Sequence, residues 1–331
     1  MYILLYGRWR NMDHKKYIIL KKIMTDILVD IGGTYIRFAK GGQSGPVDIK
    51  KWHVRDFKSF DQALRAYAKS GTVYIASTGI FDQTGSWRIT NGAGWQINPA
   101  DISASGFQLG RILNDFDASS AALCGLSDDE LRDVYASPSP PRNNKKMLVG
   151  AGTGLGLAYC NLSDRHLITD SCDLGGHMAA SAITPEQFDI CQKISQELQK
   201  PVIYEDMASG RGLANIYKAV TGHNSKSPEK AVEHPNVLRL FHEFLGLFIH
   251  QAIIFSSSFG GVYLTGGVID KLIEKEIFDT QTVLRYIHIK GAPVVNDILT
   301  AVPVYYITTP YLTLHGLYNK FIHHEKSLSD H

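Results

Sequence analysis

Apolar positions along the chain come in short runs that end on glycine-rich turns. Asp26-Ile27-Leu28-Val29-Asp30 reads as a strand closed by an acid, Gly32-Gly33-Thr34 as a turn, and Tyr35-Ile36-Arg37-Phe38-Ala39 as the returning strand. The pattern recurs at Met147-Leu148-Val149, which runs through Gly150 to Gly156 and leaves as Leu157-Ala158-Tyr159-Cys160. A third apolar strand, Gly261 to Leu264, enters the turn Thr265-Gly266-Gly267. Further strands are expected at 47–54, 73–76 (ending at Ser77-Thr78-Gly79), 111–113 and 302–307. Helical spacing is expected over 57–70, 118–124, 184–199, 209–221, 236–256, 268–274 and 280–287, with a short helix within 99–110 and a closing helix at about 311–323. Residues 81–98 and the stretch from the second hairpin to His177 read as turns, and the proline-rich 136–146 as an exposed loop. No repeat of solenoid period is present. Strands and helices alternate, which predicts an α/β protein.

Several classes are excluded by pattern. The first third begins with consecutive hairpins rather than βαβ units, so it is not a simple dinucleotide-binding start. Gly150, Gly152, Gly154 and Gly156 do not give G-x-G-x-x-G, and no G-x-x-x-x-G-K-[ST] occurs. No uninterrupted apolar run approaches the ~20 residues that span a bilayer. At 331 residues the chain is long enough for two domains, and 44% hydrophobic with 20% charged is an ordinary globular composition. A net charge of +2 gives no footprint for nucleic acid. The four cysteines show no C-x-x-C spacing, so neither a structural zinc nor a redox motif is indicated, and free thiols suit a reducing cytoplasm. Residues 1–24 hold two short apolar runs around a basic stretch. They read as a poorly ordered extension or a start assigned too early, Met24 standing just before the first strand.

The chemistry lies in the turns. Glycine lets backbone N–H groups approach a ligand, and successive N–H groups cradle phosphate. Three such turns, each after an apolar strand, predict a chain organised around a nucleotide. Asp30-Ile31-Gly32-Gly33-Thr34 with Arg37-Phe38-Ala39 resembles the first phosphate motif of the bacterial glucokinases, members of the sugar kinase/Hsp70/actin superfamily. Leu113-Asn114-Asp115-Phe116 resembles their sugar and catalytic segment, and Gly150 to Gly156 their second phosphate motif. Gly175-Gly176-His177 and Ser209-Gly210-Arg211-Gly212-Leu213 match two further segments, and Gly261 to Gly267 resembles the adenosine motif. The matches keep family order from about residue 26 to 320.

The resemblance implies a two-domain actin-like ATPase (ribonuclease H-like) fold with an interdomain cleft. A small domain of 25–117 plus 310–325 and a large domain of 118–309 are expected, with the cleft closing on the sugar. It implies ATP-dependent phosphorylation of glucose with Mg²⁺, in a cytoplasmic homodimer. By the same resemblance Asp115 is the general base, and Asn91, Asn114, His177 and Glu205 bind the sugar. Asp30 orients Mg²⁺ through water, since that ion takes few carboxylates and keeps several waters. Gly32, Gly33, Thr34, Gly152, Thr153 and Gly154 hold phosphate, and Gly266 and Gly267 pass close to the adenosine. Bland readings stand beside these. Asp115 also suits a helix N-cap, Glu205 a solvated acid of a first helical turn, and the threonines local turn bonding.

Two departures bear on the substrate. The family pattern has Glu-Gly-Gly-His where this chain has Leu174-Gly175-Gly176-His177, so one sugar-binding carboxylate is missing, and Asp173 is one residue away. Tyr35 replaces the small polar residue that usually follows Gly-Gly-Thr. The cysteine-rich zinc motif of the related ROK kinases is absent, which favours the glucokinase branch. A kinase for another hexose or an amino sugar therefore stays open, as does a non-catalytic sugar or nucleotide sensor.

Overall fold

The computed structural model describes residues 25–90, 94–163, 166–172, 174–225 and 227–323. The extension expected at 1–24 lies outside the described residues, as do Asn91 and Asp173. The chain divides into two units: the described residues up to Asp115 together with 321–323, and Phe116–Lys320.

The first unit grows from β1 (Asp26–Ile31), whose Ile27, Leu28 and Val29 are fully buried. A continuous apolar run of this kind belongs to a strand covered on both faces. β2 (Tyr35–Gly41) returns antiparallel, and its register sets Arg37 opposite Asp30. β3 (Pro46–His53) pairs with β2, and β4 (Gly71–Ser77) lies parallel to β1. Three very short strands follow, β5 (Gly79–Phe81), β6 (Trp87–Ile89) and β7 (Gln96–Ile97). They form a small sheet in the segment expected to be turns, and are too short to show any periodicity. β8 (Phe107–Leu113) then runs parallel to β4, giving the order β3-β2-β1-β4-β8. The helix expected over 57–70 is Phe60–Tyr67. Ser59 caps it by accepting the Gln62 N–H, and Ala68 is already extended.

The second unit repeats this order. Its strands are β9 (Leu131–Tyr135), β10 (Lys146–Ala151), β11 (Leu155–Ser163), β12 (His166–Ser171), β13 (Val262–Thr265) and β14 (Val304–Ile307). They assemble as β12-β11-β10-β13-β14-β9. β10, β11 and β12 form an antiparallel meander, and β13 and β14 add in parallel, as β1 to β3 and then β4 and β8 do in the first unit. The two glycine hairpins thus occupy the same place in two copies of one sheet plan. β9, β12 and the helix Pro293–Thr300 had no counterpart in the sequence reading.

The helix Pro235–Ser256 runs through the core of this unit. Among the described residues it is long and apolar enough to cross a membrane, although no single apolar run in it is long. In this fold 72% of the window that meets this test is buried, and Leu240, Phe241, Phe244, Leu245 and Phe248 pack into the core that also holds Met147, Val149 and Leu264. A helix apolar on every side is a buried helix. The closing helix, Leu312–Tyr318, was expected to join the first unit but belongs to the second. The helix Asp115–Ala122 holds it there. A Cβ on Gly316 would lie 1.7 Å from the Ala118 carbonyl oxygen, Asn319 donates to Ala121, and Lys320 pairs with Asp117 at 2.9 Å. Among the described residues of the closing segment, only 321–323 return to the first unit.

Candidate active site

The predicted residues fall into two sets, one in each unit. In the first unit Asp30 is the penultimate residue of β1, 7% exposed, with its Oδ2 accepting from Arg37 Nη1 at 2.8 Å. Burial pushes the Asp30 carboxyl above its usual range, and the Arg37 guanidinium opposes that shift. Gly32, Gly33 and Thr34 make the turn, closed by the Gly32 N–H to the Tyr35 carbonyl at 2.9 Å, and Gly33 and Thr34 are exposed. Asp115 is the first residue of its helix, with Asn114 in the position before it. Its Oδ2 accepts from the Thr78 hydroxyl at 3.1 Å. Thr78 directly follows β4, so a residue 37 positions away in sequence holds the candidate base. Sequence reasoning noted Ser77-Thr78-Gly79 as a strand end and gave Thr78 no role.

In the second unit, the turn between β10 and β11 is closed by the Gly152 N–H to the Gly154 carbonyl at 2.9 Å. The Gly152 carbonyl accepts from the Gly210 N–H at 2.8 Å, which ties this turn to the start of the helix Gly210–Thr221. The turn glycines Gly32, Gly152 and Gly154 do not occupy the left-handed region. Close approach accounts for Gly154, where a Cβ would lie 2.5 Å from Glu205 Oε2. Gly266 does need positive φ, at 103°, and a Cβ there would meet the Ala151 carbonyl at 2.6 Å. Gly152 and Gly267 are different. A Cβ on either would meet no protein atom within 4 Å, so the fold itself does not demand glycine at these positions.

Both line a cavity of about 440 Å³ contained in this unit. Thr153, Gly210 and Arg211 add polar lining, and Leu213, Val232, Val268 and Leu272 give apolar walls. Lys271, which is ion-paired with Glu229, and Lys275 also line it. Small-molecule sites are mostly apolar with a few placed polar groups, and this volume is in their usual range. Val232, Glu229, Lys271 and Lys275 were not singled out from the sequence. Their only common feature is that the fold gathers them.

Glu205 and His177 lie beside the same hairpin. Glu205 is 15% exposed, accepts the Leu155 N–H at 3.0 Å through Oε2, and pairs with Arg211 through Oε1. It is therefore no solvated helix-start acid, but sits against the turn between β10 and β11. The Gly175–His177 turn packs on β11. A Cβ on Gly175 would lie 2.8 Å from Leu157, and one on Gly176 would lie 2.3 Å from the Leu155 carbonyl. The Met178 carbonyl accepts from the Tyr204 N–H at 2.9 Å, which brings the His177 and Glu205 turns together. His177 is exposed, and Leu174, in place of the glutamate, is 71% exposed. Among the described residues no group of three or more His, Cys, Asp or Glu is placed to hold a metal.

A sheet plan used twice, each copy with its glycine hairpin, is the architecture of the actin-like ATPases. Comparison with known proteins agrees. The glucokinase family model matches residues 27–324. A glucokinase of Erwinia tasmaniensis is 28% identical, over 87% of this chain and 94% of its own. A glucokinase of Pectobacterium atrosepticum is 30% identical, over 74% and 82%. The crystal structure of a glucokinase from an Antarctic psychrotroph superposes with a TM-score of 0.76 at 23% identity, over 89% of this chain and 98% of that one, and so shares the fold. The chain belongs to the glucokinase family, and with it to the hexose kinases.

Proposed function

We propose that the protein transfers the γ-phosphoryl group of ATP to the 6-hydroxyl of glucose, giving glucose 6-phosphate and ADP. One observation carries the reading. Gly152, Thr153 and Gly267, singled out as phosphate and adenosine residues, line one cavity of about 440 Å³, where glycine has no other structural reason.

Phosphoryl transfer is mainly positioning and charge stabilisation. Asp115, held by the Thr78 hydroxyl, accepts the proton that the sugar hydroxyl loses as its oxygen bonds to phosphorus. Asn114, His177, Glu205 and Asn91 hold the other hydroxyls. The turn at Gly32, Gly33 and Thr34 and the turn at Gly152 to Gly154 present backbone and hydroxyl donors to the phosphates. Gly266 and Gly267 pass the adenosine, whose base suits the apolar walls at Val232 and Val268. Bound Mg²⁺ neutralises phosphate charge. Asp30 suits it, because this ion is often held by one or two carboxylates plus substrate phosphates and water. A homodimer in the cytoplasm is part of the reading and rests on the family resemblance.

The test is ADP release with Mg-ATP over glucose, mannose, fructose, glucosamine and N-acetylglucosamine, for wild type and Asp115→Asn. Glucose is expected to give the highest kcat/KM, and Asp115→Asn to lose turnover while still binding sugar. Turnover with another sugar alone would move the acceptor. Full activity in Asp115→Asn would remove the general base. No turnover with any sugar, with ATP binding retained in calorimetry, would leave a sensor.

A further inference from the structure

Two thiols outside the candidate site lie close enough to react with each other. Cys124 follows the helix that begins at Asp115, and Cys160 sits in β11, the strand that leaves the Gly152–Gly154 turn. Their sulfurs are 3.2 Å apart although the residues are 36 positions apart in sequence, and both are free thiols. Cys160 is 1% exposed and Cys124 is half-buried, so a reagent in solution meets Cys124 first. Lys146, on β10, donates to the Leu123 carbonyl at 2.6 Å and places a cation beside the pair.

The two thiols are unequal. The hydrogen bond with Cys160 holds the Cys124 thiol below its ordinary range, with burial opposing and Lys146 assisting. The same interaction and burial push Cys160 upward. Cys191, by contrast, is pushed up to about 11 by burial. A reactive cysteine is thiolate-prone, reachable and next to a resolving partner. Cys124 and Cys160 divide those roles.

We propose that Cys124 and Cys160 are a modification site, which forms a reversible disulfide when a small disulfide such as oxidised glutathione is present. The Cys124 thiolate attacks one sulfur of the oxidant, its S–S bond breaks, and the first glutathione thiolate leaves. Cys160 then attacks the Cys124 sulfur of the mixed disulfide and expels the second. Two protein thiols are oxidised and one glutathione disulfide is reduced to two thiols, which carry away the two protons. The bond staples the segment after the Asp115 helix to the strand of the phosphate hairpin. It also constrains the unfolded chain, so the oxidised protein melts higher. The proposal is independent of the sugar and of the reaction proposed above.

The test uses the full chain, equilibrated with oxidised glutathione, quenched in acid, unfolded, and alkylated with N-ethylmaleimide before intact-mass and peptide analysis. Two of the four thiols should escape alkylation. A peptide pair joining Cys124 to Cys160 should appear, dithiothreitol should reverse it, and the melting midpoint should rise on oxidation. In Cys160→Ser, Cys124 should stop at the glutathione mixed disulfide and the midpoint should not rise. The double variant Cys172→Ser/Cys191→Ser leaves only the pair, and should cross-link as wild type does, which keeps the test informative if Cys160→Ser does not fold. Alkylation of all four thiols after oxidation, or a link through Cys172 or Cys191, would overturn the proposal.

Discussion

Thr78→Val probes the candidate base without touching it. The change keeps the shape of the side chain and removes one hydroxyl, the donor to Asp115 Oδ2 at 3.1 Å. A hydrogen bond to a charged group contributes about 1.5 to 3 kcal/mol. The distance is longer than the most common spacing for a hydroxyl donor, so the lower value applies. About 1.5 kcal/mol, roughly twelve-fold, is the ceiling on the loss in kcat, because the bond is already made in the ground state and only the part of it that orients the carboxylate for proton transfer reaches the rate. KM for the sugar should hold, because Thr78 orients the carboxylate rather than the substrate. The sign of the pH effect follows. The lost donor stabilised the ionised carboxylate, so its loss favours the protonated form and moves the acid limb of kcat to higher pH. The assay is coupled ADP release at saturating Mg-ATP, with kcat and KM measured across pH for wild type, Thr78→Val and the hydroxyl-bearing Thr78→Ser. Thr78→Ser should recover most of the loss. Wild-type kcat and an unmoved acid limb in Thr78→Val would refute the assignment of Asp115 as a base held by Thr78.

Other substitutions test the remaining parts. Asp30 has a carboxyl raised by burial, so its folded state keeps a proton to higher pH than the unfolded chain does. That contribution to stability is full below the usual 3.8 and is lost as pH rises through the folded value. Asp30→Asn should therefore lose this pH dependence in thermal melts, and should weaken the Mg²⁺ dependence of turnover; an unchanged melt profile would contradict it. A Cβ on Gly156 would lie 2.2 Å from the Phe116 ring, so Gly156→Ala should cost about 1 to 3 kcal/mol in denaturant unfolding. Adding Phe116→Leu should recover part of that loss, and no recovery would mean that the ring is not what the methyl meets. Leu174→Glu changes a side chain that is 71% exposed and should leave stability within about 0.5 kcal/mol. If the missing carboxylate weakens sugar binding, KM for glucose should fall about ten-fold or more, as expected for a charged hydrogen bond; an unchanged KM would show that the position no longer faces the sugar.

Local pattern was enough for the α/β class, the three glycine turns and the strands that lead into them. An apolar run ending in Gly-Gly-Thr has few ways to fold, and the same turns carried the resemblance to the glucokinases. It was enough too for Asp30, Asp115 and Glu205 as candidates, because each stands beside a motif. It did not reveal β9, β12 or the sheet of β5, β6 and β7. Those strands are short or lie at edges, and their pairing partners supply the signal that their own residues lack. It also put the closing helix in the wrong unit, since contact with Ala118, Ala121 and Asp117 decides where that helix packs.

What only the tertiary structure decided is which distant groups meet. Register set Arg37 against Asp30, and sheet order brought Thr78 to Asp115. Packing laid Glu205 over Gly154, gathered Val232 and Lys271 into the wall of a cavity, and set Cys124 against Cys160. The duplication of one sheet plan in both units is likewise invisible in the residues, because hydrogen bonds between backbones define it and many side chains satisfy them. The sequence by itself determined the turns and the chemical groups they carry. Long-range pairing, which no local preference encodes, determined which of those groups are held and by what.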